Sequence, residues 1–290
     1  MKKALSIILA VMMLMSICVM GTACGSKEAT TKSYSCGVQT GTTGWSYMEG
    51  DADWGFAGYK NIKTLTFDNG GLAVADMLNG NVDFVVIDDA PAKNLVAANK
   101  GTKVIDVPLT VESYGIGVDK NNAELLTKIN TVLSEKKADI DAIFEKYADV
   151  NDDNSANWTG TTVESAKLDS SKEQFVIATN AAFAPFEFKV GDKFAGIDME
   201  IAKLIADELG MELVIEDMEF DAVVTSVGSN GIDAAVSGLT INAKRAKSVN
   251  FSDAYYSGAY QVIICKDDCT LFDACKTGDD LAAVLNGLGK

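Results

Sequence analysis

The sequence predicts an α/β protein built as two doubly wound lobes. Three observations carry this: apolar strands alternate with amphipathic helices along most of the chain, one strand-and-turn pattern occurs twice, and polar stretches mark the breaks between blocks. Alternation of that kind argues for parallel sheets covered on both faces.

The elements follow in order. Cys36–Gln39 and Ile62–Phe67 read as strands, Leu72–Leu78 as a helix, and Phe84–Ile87 as a continuously apolar, buried strand. Helical periodicity runs through Glu124–Leu133 and Asp139–Tyr147. Beyond a stretch from Asp149 to Lys172 that is rich in Asp, Asn, Ser and Thr and reads as a long linker, the pattern resumes. A strand at Phe175–Thr179 is followed by a helix at Asp198–Leu209, a strand at Leu213–Glu216, a helix at Ala222–Val227 and a strand at Ala234–Ser237. The repeat lies in Gly80-Asn81-Val82-Asp83 leading into Phe84–Asp88, and Asn230-Gly231-Ile232-Asp233 leading into Ala234–Gly238. Each copy follows an apolar helix, turns at Gly/Asn and ends a buried strand on small or acidic residues. Ligands of open α/β sheets bind beyond the carboxyl ends of strands. Asp88 in one lobe and Ser237-Gly238 in the other are therefore placed to face a shared ligand.

At the N-terminus, Lys2 and Lys3 precede an apolar run from Ala4 to Met20, then Gly21-Thr22-Ala23-Cys24. A charged start, an apolar middle and small residues before a cut site describe a signal peptide over 1–23. The run is short for a membrane span, which needs about 20 apolar residues. The Thr-Ala-Cys ending resembles a bacterial lipobox, which implies a lipid on Cys24 and a polar tether over 24–34; the competing reading is an uncleaved anchor helix. Both put the remainder outside the cytoplasmic membrane.

The 290 residues, 48% hydrophobic and 23% charged, suffice for two modest cores. A net charge of −16 argues against nucleic acid, whose phosphates require clustered Lys and Arg. The chain contains no His, which removes the commonest general base and zinc ligand, and no metal site or cofactor is expected.

What remains suits a small zwitterion. Burying an α-amino acid requires donors for its carboxylate and an acceptor for its ammonium. Arg245, five residues beyond Thr240 in Ser237-Gly238-Leu239-Thr240, can grip a carboxylate bidentately. The Gly41-Thr42-Thr43-Gly44 turn opening a helix offers N–H groups and hydroxyls to an anion. Asp88 can pair with the ammonium, or else simply cap the helix that contains Pro91.

Residues 175–264 resemble the first lobe of the polar amino-acid-binding proteins of ABC importers, solute-binding family 3. The motifs are Ala178-Thr179-Asn180-Ala181-Ala182-Phe183-Ala184-Pro185-Phe186-Glu187-Phe188, Gly196-Ile197-Asp198-Met199-Glu200-Ile201-Ala202, Ser237-Gly238-Leu239-Thr240-Ile241-Asn242-Ala243-Lys244-Arg245 and Val249-Asn250-Phe251-Ser252-Asp253. Residues 37–92 resemble the second lobe through Gly37-Val38-Gln39-Thr40-Gly41-Thr42-Thr43 and Val82–Pro91. The resemblance implies a type II periplasmic-binding-protein-like fold whose lobes close about a hinge. It implies that Arg245, Thr240, Gly238 and Thr43 hold the carboxylate, with Ser237 and Thr42 beside them. Asp88, with Asp89 as its rival, would take the ammonium. Asn180, Phe183 and Phe220 would line the side-chain pocket, where Asn180 replaces an Asp found in several relatives and so weakens a cationic ligand. Trp45 and Tyr47 are further candidates for selectivity. The implied partners are an amino acid, an importer permease and, through the lipid, the membrane; a monomer is expected.

The motif order departs from the family, as in a circular permutation. Lobe 2 is expected over 35–110, a return segment of lobe 1 over 111–148, the linker over 149–172, the main part of lobe 1 over 173–266, and a C-terminal segment over 267–290 docking toward lobe 2. One continuous hinge crossing is expected near Val107–Tyr114 and one broken crossing near Cys265–Lys290. A bridge from Cys36 to Cys269 or Cys275 would restore the latter; the competing reading is that Cys36 and Cys265 are buried strand residues acting as small hydrophobes. The competing function is a prephenate- or arogenate-dehydratase-like enzyme on the same fold, with Glu187 or Glu219 as its acid. A third is an amino-acid-sensing receptor without transport.

Overall fold

The computed structural model describes residues 32–290 except Asn151 and Ala156; the signal-peptide, Cys24 and most of the tether expectations lie outside the described residues. Ser33–Lys290 form one compact unit. In chain order the elements are β1 (Tyr34–Gln39), α1 (Thr43–Glu49), β2 (Ile62–Phe67), α2 (Gly70–Leu78), β3 (Phe84–Asp88), α3 (Asp89–Ala98) and β4 (Thr102–Ile105). Then come β5 (Glu112–Tyr114), β6 (Gly117–Asp119), α4 (Ala123–Glu135), α5 (Lys137–Lys146) and the short α6 (Asp152–Ser155). The rest comprises β7 (Gln174–Thr179), β8 (Ala182–Phe183), β9 (Glu187–Val190), β10 (Lys193–Ala195), α7 (Ile197–Leu209), β11 (Glu212–Asp217), α8 (Phe220–Ser226), β12 (Ala234–Ala235), β13 (Val249–Phe251), β14 (Tyr256–Ala259), β15 (Gln261–Lys266) and α9 (Gly278–Gly287).

Two five-stranded sheets define the lobes: β2-β1-β3-β15-β4 in lobe 2 and β11-β7-β12-β6-β13 in lobe 1. Each sheet is covered on both faces, as the period-two alternation of its strands requires. In lobe 2, Phe84 and Val86 of β3 pack with Met48 of α1 and Leu281 and Leu285 of α9, while Val85 and Ile87 pack with Val74 of α2 and Leu95 of α3. In lobe 1, Phe175 and Ile177 face α4, α5 and α7, and Val176 and Ala178 face α8.

The sheets are mixed rather than parallel. β2-β1-β3 and β11-β7-β12 run parallel, but β15 is antiparallel to β3 and β4, and β6 to β12 and β13. The exceptions have one cause: β15 and β6 are the strands that enter a sheet directly from the other lobe, so they arrive in the opposite sense. The crossings themselves, 106–112 and 256–261, lie together through the antiparallel pair β5–β14.

This corrects the expected boundaries. Gln261–Lys266 is an interior strand of lobe 2, so the main part of lobe 1 ends before 261 and not at 266. Both crossings are continuous in the chain. The two ends of the described chain meet inside lobe 2 instead, where β1 and α9 share one apolar cluster and Asn61 Nδ2 donates to Leu285 O and Leu288 O at 2.7 Å each.

The described residues of the 149–172 stretch form an ordered strap and not a free linker. Val163 and Phe194 exchange backbone hydrogen bonds of 2.7 and 2.9 Å, Ala166 N donates to Leu213 O at 2.8 Å, and Trp158 stacks on Tyr147 with centroids 5.1 Å apart. Its polar composition hid three apolar anchors, Val150, Trp158 and Val163, spaced irregularly along it. Its α6 turn also rests against α3 of lobe 2.

Candidate functional site

The cleft between the lobes is floored by the crossing strands and walled by loops at the carboxyl ends of β1, β3, β7 and β12. From lobe 2, Gly41 and Thr42 lead into α1; Thr42 caps that helix, its Oγ1 accepting from Trp45 N at 3.2 Å. Asp88 ends β3 with its side chain free of any capping bond. From lobe 1 come Asn180 and Phe183 after β7, Gly238 and Thr240 after β12, Phe220 at the start of α8, and Arg245 in the 3-10 turn Arg245–Lys247. Ten residues line one small interlobe cavity: Gln39, Thr42, Thr43, Asp88, Asn180, Phe183, Phe220, Gly238, Thr240 and Arg245. The cavity is about 10 Å³, room for roughly one water.

The lobes touch across it. Arg245 donates from Nη1 to Thr240 O at 3.0 Å and from Nη2 to Gly41 O at 3.2 Å, one carbonyl from each lobe. Its guanidinium lies 5.7 Å from the Trp54 ring centroid and 5.3 Å from that of Phe220. Burial lowers its pKa to about 10, which leaves it charged at neutral pH. Gln39 Nε2 donates to Asn180 Oδ1 at 2.9 Å, and Lys244 and Lys247 pair with Asp51 and Asp53 at 2.8 and 2.6 Å. At Gly41 the lobes approach closely: a Cβ there would stand 3.1 Å from Asp221 Cα, and its φ of +79° already favours glycine.

Two expected residues have their polar groups engaged elsewhere. Ser237 Oγ is spent on Glu187 Oε1, 2.7 Å, and on Asn180 N, 3.1 Å; Gly238 lines the cavity, but its N–H donates to Asp198 Oδ2 at 2.7 Å. Both therefore hold the loop in shape instead of offering donors to the cleft. Asp89, in the first turn of α3, faces Lys93 at 3.4 Å and does not line the cavity, whereas Asp88 does. Tyr47 turns into lobe 2 and bonds Tyr59 at 2.8 Å. Trp45 lines a neighbouring cavity of about 250 Å³, also bounded by Trp54, Phe220 and Lys244.

Sequence reading missed Glu112. Buried on the first crossing, its Oε2 accepts from Thr43 Oγ1 at 2.7 Å and Thr240 Oγ1 at 2.6 Å, one hydroxyl from each lobe. Its Oε1 accepts from Thr110 Oγ1 at 2.5 Å and Gln261 Nε2 at 3.1 Å. Tyr114, also unflagged, donates to Asp88 Oδ1 at 2.5 Å. Glu112 sits two residues before Tyr114-Gly115-Ile116, and nothing local distinguishes it from a surface acid. Burial, then the Glu112 charge, pushes the Asp88 pKa up to about 7. Beneath the Ser237-Gly238 loop, Glu187 and Asp198 are fully buried neighbours, with Tyr255 donating to Asp198 at 2.9 Å. Among the described residues no group of three metal-ligating side chains is clustered, and no helix is long and apolar enough to cross a membrane.

Residues 175–287 match the sequence profile of the bacterial extracellular solute-binding proteins, family 3. The arginine-binding extracellular protein ArtP of Bacillus subtilis is 37% identical over 99 residues, 34% of this chain and 39% of ArtP. The L-cystine-binding protein TcyJ of Escherichia coli is 29% identical over 115 residues, 39% of this chain and 42% of TcyJ. The chain thus spans about two fifths of the length of these curated relatives. Among solved structures, the arginine-bound domain 1 of TmArgBP is 33% identical, with 42% of this chain and 98% of that one covered at a TM-score of 0.29. The probable amino-acid ABC transporter extracellular-binding protein ytmK of Bacillus subtilis is 11% identical, with 89% and 91% covered at 0.41.

Proposed function

Because the chain belongs to the bacterial extracellular solute-binding proteins of family 3, we propose that it captures an amino acid between its lobes and presents it to an ABC importer. One observation carries the reading: a guanidinium, two hydroxyls and a carboxylate, contributed by Arg245, Thr43, Thr240 and Asp88 from both lobes, converge on one cavity. That set complements a zwitterion. Arg245 would take the ligand carboxylate with the Thr43 and Thr240 hydroxyls, and Asp88 would take the ammonium. Phe183 and Phe220 would enclose the side chain. A cavity of about 10 Å³ admits no amino acid, so binding would proceed by rotation of the lobes about the two crossings.

ArtP and TcyJ are named as binding proteins, and the chain is read as a binding protein and not an enzyme. The dehydratase alternative loses its acids: Glu187 lies under the Ser237 loop, and neither it nor Glu219 lines the cavity. The extracytoplasmic placement agrees with the extracellular relatives, and we assign the anchor to a lipid on Cys24. Acyl label incorporated by the wild type and by Cys24→Ala equally would overturn that assignment.

The segment order is best read as a circular permutation. Its support is that α9 and β1 close one apolar cluster although they stand at opposite ends of the described chain. The ligand reading is tested by a thermal-shift screen against the amino acids, since a ligand that binds only the folded state raises its midpoint. At a hundredfold excess over Kd the gain is about 2.7 kcal/mol. Arg245→Ala should remove the shift for every ligand; a retained shift would refute the carboxylate assignment.

A further inference from the structure

Four described cysteines lie in lobe 2, none of them in a disulfide. Strand register decides which can meet. Cys36 and Cys265 are both register partners of Phe84, from opposite sides. They stand two strand spacings apart, about 9.5 Å, beyond the roughly 7 Å that a disulfide spans. Cys265 and Cys269 instead flank a tight turn at the end of β15, closed by Cys269 N donating to Lys266 O at 3.0 Å. That turn sets the two thiols beside one another, close enough for each to act on the other's ionisation. Cys265 is fully buried, while Cys269 is half-buried at the rim of the same apolar cluster. Lys103 on β4 is the register partner of Cys265, and its ammonium acts on both sulfurs while pairing with Asp273 at 2.8 Å.

We propose that Cys265 and Cys269 form a redox-active dithiol, closed to a disulfide by exchange with a small aliphatic disulfide outside the cell. Cys269, as thiolate, attacks one sulfur of R–S–S–R; the S–S bond breaks, RS⁻ leaves, and a Cys269–S–S–R adduct forms. Cys265 then gives up its proton, its sulfur attacks Cys269 Sγ, and the second RS⁻ departs with that proton. The dithiol has lost two hydrogens and R–S–S–R has become two R–SH. Exposure selects Cys269 as the entry point, because burial pushes the Cys265 thiol up to about 12. The Lys103 charge opposes that burial and favours thiolate at Cys265. A ring this small constrains the unfolded chain little. The effect is local: the bridge fixes the start of the segment that carries Phe272 and Cys275 toward α9. Gln261, at the cleft end of the strand, lies about 13 Å away, so amino-acid binding is independent of the redox state.

The test is intact mass and peptide mapping of the reduced full chain after treatment with oxidised glutathione and alkylation. The expected result is loss of two hydrogens and a linked Cys265–Cys269 peptide, in the wild type and in Cys36→Ser. Cys265→Ser should stop at a stable glutathione adduct on Cys269, and Cys269→Ser should form neither product at this turn. A linked Cys269–Cys275 peptide, an unresolved wild-type adduct or no reaction would overturn the proposal. The wild-type map reads the pairing even where a variant folds poorly.

Discussion

Three buried acids, Asp88, Glu187 and Asp198, give this protein an unusual titration. In a chain without His, no ordinary side chain changes charge between about pH 5 and pH 8. Asp88 and Asp198 are each pushed up to about 7, both chiefly by burial, and Glu187 is pushed well above the carboxylate range by burial and then by the Asp198 charge. Their native pKa values exceed the unfolded ones, so the native state holds protons that the unfolded chain releases. That stability is complete below about pH 4 and is lost as pH rises through about 7. A carboxyl whose native pKa stands one pH unit above its unfolded value contributes about 1.4 kcal/mol. Thermal midpoints should therefore fall by several degrees between about pH 5 and pH 8. Glu187→Gln, which cannot ionise, should flatten the fall; an unchanged slope would exclude the Glu187–Asp198 pair as its source.

Helix α9 shows how an element can matter more than its position suggests. It begins with a capping box in which Thr277 Oγ1 accepts from Asp280 N at 3.2 Å and the Asp280 carboxylate accepts from Thr277 N at 2.9 Å. Leu281 and Leu285 are completely buried in one cluster with Cys36, Met48 and Phe84, so this helix helps cover one face of the lobe 2 sheet. Leu285→Ala should cost about 2–5 kcal/mol in denaturant unfolding, as for other core truncations. A cost within about 0.5 kcal/mol, typical of surface sites, would mean that the helix is not held there. The strap over 149–172 teaches the converse: a composition typical of a flexible linker became ordered because a few apolar side chains found places on lobe 1.

At the scale of the molecule, the two lobes meet through several pairs of polar groups that satisfy one another. Arg245 clasps Gly41, Gln39 clasps Asn180, and Glu112 ties Thr43 to Thr240. Ligand carboxylate would compete with Glu112 for those two hydroxyls. Both crossings are unbroken and the ends of the described chain lie within lobe 2, so the proposed permutation would leave the hinge covalently intact. A rearranged chain in which Lys290 runs directly into Tyr34, with new ends opened in the strap, should fold and keep the same amino-acid ranking in thermal shift. Loss of the fold in that chain would argue against the permutation.

Read without its fold, the chain already specifies the element types, the two lobes and the cleft-facing Arg245, Thr240, Thr43 and Asp88. The elements and lobes follow from periodicity and the repeated turn, the four cleft residues from the resemblance to the family's motifs. Whatever depends on distant partners waited for the packed molecule. Packing put Asp88 and not Asp89 in the cavity, because one ends a strand and the other turns with the first helical residue toward Lys93. It spent Ser237 and the Gly238 N–H on buried acids, brought Glu112 between two threonines 69 and 128 residues away, and set Cys36 and Cys265 on either side of Phe84. No local pattern encodes such meetings, since they arise only when two sheets and two crossing strands fix their registers together.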